Sequence, residues 1–153
     1  FSAVRQPVAT VGKIIGGKVQ HNIEIPESEG GFANACPIRM SYVLNKTGFR
    51  IRKIPKIAMV TGADGAWYIY RVSDMMLYME IVFGNPDKTV ASPKPSDFLG
   101  MQGIIVVKGR GWGNASGHVT IWNGSACSDA CHLMNDPDNG SFTPDVASIW
   151  ILK

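Results

Sequence analysis

A cysteine, a histidine and a carboxylate are the parts of a thiol hydrolase, and this chain offers Cys36, three histidines (His21, His118 and His132) and Asp129. Cys36 is followed at once by Pro37. Proline pushes the residue before it away from helical angles, and it is favoured at the first helical position, where its missing N–H is not needed. The pair predicts Cys36 at the N-cap of a helix over 37–47, with its sulfur facing the N–H groups of Ile38 and Arg39. Those donors and the positive end of the helix dipole favour a thiolate, the attacking form of the side chain. The competing reading is a buried structural cysteine, since free cysteine is among the most buried residue types.

A nucleophilic cysteine needs a base. His118 opens His-Val-Thr-Ile-Trp directly after Gly117. Strand alternation puts His118, Thr120 and Trp122 on one face, and the glycine before them permits close approach of another backbone or a substrate. A cysteine at a helix start facing a histidine on a strand is the arrangement of papain-like thiol hydrolases. His21 lies in a polar stretch and reads as exposed. His132 stays a rival base, because nothing in the sequence fixes the direction of its loop.

The other cysteines bracket Cys127-Ser-Asp-Ala-Cys131. An odd total of three reads as one pair plus a free thiol, or as no pair. A 127–131 bridge would close a very short loop with Asp129 at its apex and would imply an oxidising workplace; such a loop reads either as aiming Asp129 at the far ring nitrogen of His118 or as a staple bearing a solvated carboxylate. Zinc competes for the same residues: Cys127, Cys131 and His132 could be joined by Cys36 or His118. The paired CxxC or HxxxH spacing that such sites use is absent, so no metal or other cofactor is expected. No GxxxxGK[ST], HExxH or GxSxG motif occurs. Trp112, between two glycines, reads either as a stacking platform for sugar or peptide or as a loop anchor. A non-enzymatic cell-wall or glycan-binding module with a structural Cys36 is the alternative to an enzyme.

The elements that must position these residues follow from periodicity. Val8, Val11 and Ile15 give a helix stopped by Gly16-Gly17, and residues 23–32 read as a loop. The 37–47 helix meets a cap at Gly48, Trp67 to Tyr70 reads as a strand, and a helix capped by Ser73 runs to Phe83. Residues 85–102 are turn-rich. Strands follow at 104–107, 118–122 and 148–152, with residues 109–117 available for a hairpin connection. Helices first and strands later predict an α+β fold with a largely antiparallel sheet.

The 153 residues suit one domain, 1–153, and 45% hydrophobic against 18% charged residues excludes disorder. A net charge of +3 is too small and too evenly spread for a nucleic-acid footprint. The longest apolar stretch, Met75 to Phe83, carries Glu80 and falls short of the ~20 residues of a membrane span. Neither nucleic acid nor membrane is an expected partner; residues 1–153 hold no signal-peptide core, and a start at Phe1 rather than Met leaves a cleaved signal open.

The segment Asn34-Ala-Cys-Pro-Ile-Arg-Met-Ser-Tyr-Val-Leu-Asn45 resembles the Asn-x-Cys-x-Ile-Arg-Met/Leu-Ser-x-Ala-Leu-Asn signature of the fourth family of type VI secretion amidase effectors. Ile15-Gly-Gly-Lys18, Tyr70-Arg-Val72, Phe83-Gly84 and Gly117-His-Val-Thr-Ile-Trp-Asn-Gly124 match it in order over most of the chain. The resemblance implies a papain-like, NlpC/P60-type peptidoglycan amidase that hydrolyses the bond between γ-D-glutamate and meso-diaminopimelate in stem peptides. It implies Cys36 as nucleophile, His118 as base, Asp129 as orienting acid, and a disulfide between Cys127 and Cys131. It also implies delivery by the type VI apparatus, which needs no cleavable signal, into the periplasm of a rival Gram-negative cell. The producer would be protected by a periplasmic, dimeric immunity protein. Pro37 has no N–H, so an oxyanion hole must combine the backbone N–H of Cys36 with a side chain; Asn34 is favoured over Arg39 because an amide donates without a charge that competes for the thiolate.

Overall fold

A computed structural model describes residues 1–32, 34–113 and 116–152. The chain forms two compact units, residues 1–75 and 76–153. The first holds helices α1 (Val8–Ile15), α2 (Gly17–Glu24) and α3 (Cys36–Lys46), then a hairpin of strands β1 (Met59–Thr61) and β2 (Trp67–Ile69). Its core gathers Val4, Val11, Ile15, Val19, Ile38, Ala66 and Tyr68. Helix α4 (Val72–Phe83) carries the chain into the second unit. That unit is a four-stranded sheet in the order β3-β6-β4-β5, from β3 (Lys88–Ala91), β4 (Gly103–Arg110), β5 (Gly117–Trp122) and β6 (Thr143–Ile151). Every pairing is antiparallel. The α+β class with antiparallel sheets is therefore as the sequence predicts.

Helix α3 has well-defined ends. Its first helical hydrogen bond runs from Arg39 N–H to the Ala35 carbonyl, 2.8 Å, which makes Ala35 the N-cap and Cys36 the first helical residue. This corrects the expected N-cap at Cys36 by one position: Pro37 occupies the second helical position, where it still needs no N–H. At the other end Gly48 takes φ +95°, and Phe49 N–H reaches the Leu44 carbonyl at 3.0 Å, a Schellman closure. The buried side of α3 carries Cys36, Ile38, Met40, Ser41 and Leu44.

Two polar side chains on α3 lock it to β2. Ser41 is fully buried; its hydroxyl donates to the Pro37 carbonyl (2.8 Å) and accepts the Ile69 N–H (2.9 Å). Asn45 donates to the Trp67 carbonyl and accepts the Ile51 N–H, both at 2.8 Å. Together they fix the start of the helix, where Cys36 sits, against the hairpin of the same unit.

The second unit is built on β4, which lies between β5 and β6 and is buried from Gly103 to Val107. Val107 pairs with His118 and Ile105 with Thr120, so the alternation that puts His118, Thr120 and Trp122 on one face holds. Ile105, Val107 and Trp122 on that side join Phe98, Leu133, Phe142, Ala147 and Ile149 in one core. A Cβ at Gly117 would collide with the Val107 carbonyl oxygen, so the glycine before His118 serves strand-to-strand approach. The expected hairpin connection lies between β4 and β5; Asn114 and Ala115 within it are outside the described residues.

Candidate active site

The candidate residues divide between the units. Asn34 and Cys36 belong to the first; His118, Asp129, Cys127, Cys131 and His132 are brought together in the second. Cys36 is a free thiol, 5% exposed, at the start of α3. Because Arg39 N–H is spent on Ala35 and Pro37 has none, the N–H groups at the helix start without a partner inside the helix are those of Cys36 itself and Ile38. The expected Ile38–Arg39 donor pair is thereby replaced by Cys36–Ile38. Asn34 is half-buried in the segment entering α3. Arg39 is committed elsewhere: its guanidinium donates to the carbonyls of Val4 (2.9 Å) and Gln6 (2.6 Å).

His118 and Asp129 meet because the chain after β5 folds back on itself. Asn123 Oδ1 accepts the N–H groups of Ser125 (3.0 Å) and Ala126 (2.9 Å), a turn that Asn and Asp side chains stabilise. The returning segment then runs antiparallel beside β5: Cys127 bridges to Trp122, and Ser128 N–H reaches the Ile121 carbonyl at 2.9 Å. That direction carries Asp129 back to the level of His118. A Cys127–Cys131 disulfide clamps the loop across the aspartate, with Asp129 Oδ1 3.1 Å from His118 Nε2. The side chains of His118 and Asp129 are 10% and 17% exposed, so solvent screens the pair weakly.

With Nε2 donating to a carboxylate, the neutral imidazole keeps its lone pair on Nδ1, and any imidazolium formed is stabilised by the adjacent negative charge. Read from the residues alone, the pairing depends on a bridge between the loop cysteines; the family resemblance implies both the pair and the bridge, and the bridge is present. The bridge also takes both loop sulfurs away from any zinc site. Among the described residues no group of three or more metal-ligating side chains converges.

Among the described residues no carboxylate hydrogen-bonds the His132 ring. Its Nδ1 lies 3.1 Å from Asn139 Oδ1, and its ring stands at 81° to that of His118, centroids 4.8 Å apart. Burial, followed by the neighbouring His118 charge, pushes the His132 ring below the ordinary histidine range, against the Asn139 hydrogen bond and the carboxylates of Asp136 and Asp129. The sequence signal for this contact was available: His132 follows Cys131 directly, so a loop that delivers Asp129 to His118 also delivers His132.

Trp112 is a loop anchor. It stacks on Phe142 at 4.1 Å and donates to the Asn139 carbonyl at 3.3 Å. Trp122, 1% exposed, donates to the Phe98 carbonyl in the core. Trp122, being buried, offers no stacking face to a glycan. His21 is exposed, as its polar context predicts. No helix among the described residues is long and apolar enough to cross a membrane.

Residues 32–151 match the family model described as Tae4, type VI secretion system (T6SS) amidase effector protein 4. No curated protein matches the chain. Among solved structures it is similar to the effector Tae4 from Salmonella typhimurium in complex with the immunity Tai4 from Enterobacter cloacae. There the identity is 59% and the TM-score 0.93, over 99% of this chain and 93% of that one. It is also similar to the Tae4 of the type VI effector–immunity complex Tae4-Tai4 from Enterobacter cloacae, with 52% identity and TM-score 0.92 over 99% of this chain and 92% of that one. A third structure, the type VI effector Tae4 from Enterobacter cloacae, gives 51% identity and TM-score 0.86 over 98% and 89%. The fold, the signature segments and these likenesses agree: the chain belongs to the Tae4 family of type VI secretion amidase effectors, and is a hydrolase rather than a passive binding module.

Proposed function

We propose that residues 1–153 act as one papain-like, NlpC/P60-type cysteine amidase domain that cuts the γ-D-glutamyl–meso-diaminopimelate bond of peptidoglycan stem peptides. The observation that carries the reading is the Asp129 carboxylate on His118 Nε2. It leaves Nδ1 as the nitrogen that exchanges protons, the requirement for a base serving a thiol. A free cysteine at the start of α3 supports the other half of the chemistry.

In this mechanism His118 Nδ1 takes the Cys36 proton, and the thiolate attacks the glutamyl γ-carbonyl. The C–S bond forms as the C=O electron pair moves to oxygen. That oxyanion accepts hydrogen bonds from the Cys36 N–H and the Asn34 side-chain amide; Arg39, with its donors on Val4 and Gln6, is left out. As the C–N bond breaks, the imidazolium returns its proton to the departing diaminopimelate amine. Water, deprotonated by His118, then hydrolyses the thioester and frees Cys36.

The family and its solved relatives support the biological setting. The chain is delivered by the type VI apparatus to the periplasm of a competing Gram-negative cell. In the producer it is held inactive by a cognate, dimeric periplasmic immunity protein, as the related effectors are found with Tai4. The test is digestion of purified sacculi followed by mass analysis of the soluble fragments. The reading predicts one fragment ending in D-glutamate and one beginning with the free amine of meso-diaminopimelate. Fragments cut at any other bond would overturn the assignment.

A further inference from the structure

We propose that His132 is a positioning residue for the His118–Asp129 pair, its ring standing against the His118 imidazole and fixing that imidazole's plane. The inference rests on the proposed role of His118 as base and adds a residue to it.

A backbone reversal, a hydrogen bond and ring contacts set the position of the His132 side chain. His132 has φ +58°, a left-handed backbone that non-glycine residues adopt infrequently, and its N–H is held by Asp136 Oδ2 at 2.8 Å. That reversal, one residue beyond the disulfide, turns the side chain back toward β5. The Asn139 side chain, in a buried residue, donates from Nδ2 to the Leu133 carbonyl at 2.8 Å, which leaves Oδ1 facing His132 Nδ1 at 3.1 Å. An amide oxygen only accepts, so His132 Nδ1 carries the proton. On its flanks the ring meets Trp112 at 86°, centroids 4.6 Å apart, and His118 at 81° and 4.8 Å. Both are edge-to-face packings, which favour one ring orientation over others.

The Asp129 hydrogen bond fixes one ring atom of His118, and a second ring, packed edge-to-face on it and itself anchored through Asn139, fixes the plane of the imidazole. The charged and titratable groups around His132 are His118, Asp129 and Asp136; burial and the His118 charge outweigh the two carboxylates and push its ring below the ordinary histidine range, which disfavours a competing imidazolium. Orientation of a base is worth rate because small misplacements of a reacting group are costly.

Two variants test this. Asn tolerates the left-handed backbone, so His132→Asn removes the ring without straining the turn; His132→Phe restores a flat ring without nitrogen. With stem-peptide substrate, His132→Asn should lower kcat by at least about tenfold while KM moves within about twofold, and His132→Phe should recover most of kcat. Ring nitrogen NMR of His118, read on the free protein, is independent of turnover. It should show the same sharp, Nε2-protonated ring signals in the parent and in His132→Phe, and shifted or broadened ring signals in His132→Asn. A folded His132→Asn protein with parental kcat and unchanged His118 ring signals would overturn the proposal, as would failure of His132→Phe to rescue either readout. If His118 is not the base of this enzyme, kcat stays put while the ring signals still report whether His132 orients it, so the two readings fail separately.

Discussion

Replacing Asp129 with Asn removes one charge and little else, because the two side chains have nearly the same shape. The carboxylate lies 3.1 Å from His118 Nε2, and both side chains are at most 17% exposed. At that separation a full pair of charges interacts by about 5 kcal/mol at the effective dielectric of 20 that suits such sites. The Asn dipole and the partial solvent contact recover some of this, so about 3 kcal/mol of imidazolium stabilisation should be lost, or roughly 10²-fold in kcat. The loss appears in kcat and not in KM, since the imidazolium develops only as Cys36 is activated. The assay is steady-state cleavage of a purified muropeptide by Asp129→Asn, with near-UV circular dichroism as a check on packing. A correctly folded variant within threefold of the parental kcat, a limit set well below the roughly hundredfold loss expected, would refute the argument that Asp129 acts through His118.

Three further outcomes follow from the packing. Ser41→Ala strands the buried Ile69 N–H and should cost about 1–3 kcal/mol in urea unfolding, where a loss under half the lower figure would mean that Ser41 does not pin α3 to β2. Thr120 is fully buried on the His118 face with no hydrogen-bond partner for Oγ1 among the described residues, so Thr120→Val should raise stability by about 1 kcal/mol; a decrease would show that the hydroxyl is satisfied. His132 is pushed below its ordinary 6.5 in the folded chain, so below that pH the unfolded chain binds the extra proton and stability falls as pH drops. Asp64 adds to the acid loss lower down. Burial opposes its ionisation, but the Ala66 N–H, the Tyr68 hydroxyl and Lys46 together hold it under 3.8, so its contribution disappears as pH falls through the folded value. Unfolding midpoints measured from pH 7.5 to 5 should decline less steeply in His132→Phe than in the parent, and parallel curves would contradict the assignment.

Local pattern carried much of this molecule. Pro37 and Gly48 marked both ends of α3, and Gly117 with the alternation after it marked β5 and the face that bears His118. What escaped had physical reasons. Helix α2 was hidden because Gly16-Gly17 reads as a stop. The pair does end α1, but a second helix begins at Gly17, where a Cβ would strike the backbone of Gly62, and of α2 only Val19 is buried. Strand β3 is a short edge strand of alternating partial burial amid prolines, too polar to announce itself. The start of α3 was misplaced by one residue because proline is acceptable at either of the first two helical positions. At the site, residue types and spacing reach the Asp129–His118 pair only through a bridge they leave open, which the family resemblance supplies, and the His132–Asn139 contact depends on a left-handed residue that no local pattern announces.

Chemistry at the sulfur of Cys36 is the claim on which all of this stands. Cys36→Ala removes one atom from the start of α3, and its thermal unfolding should match that of the parent closely. Incubated with sacculi under conditions where the parent solubilises them, the variant should release no fragments. Release at the parental rate by the folded variant would contradict the account.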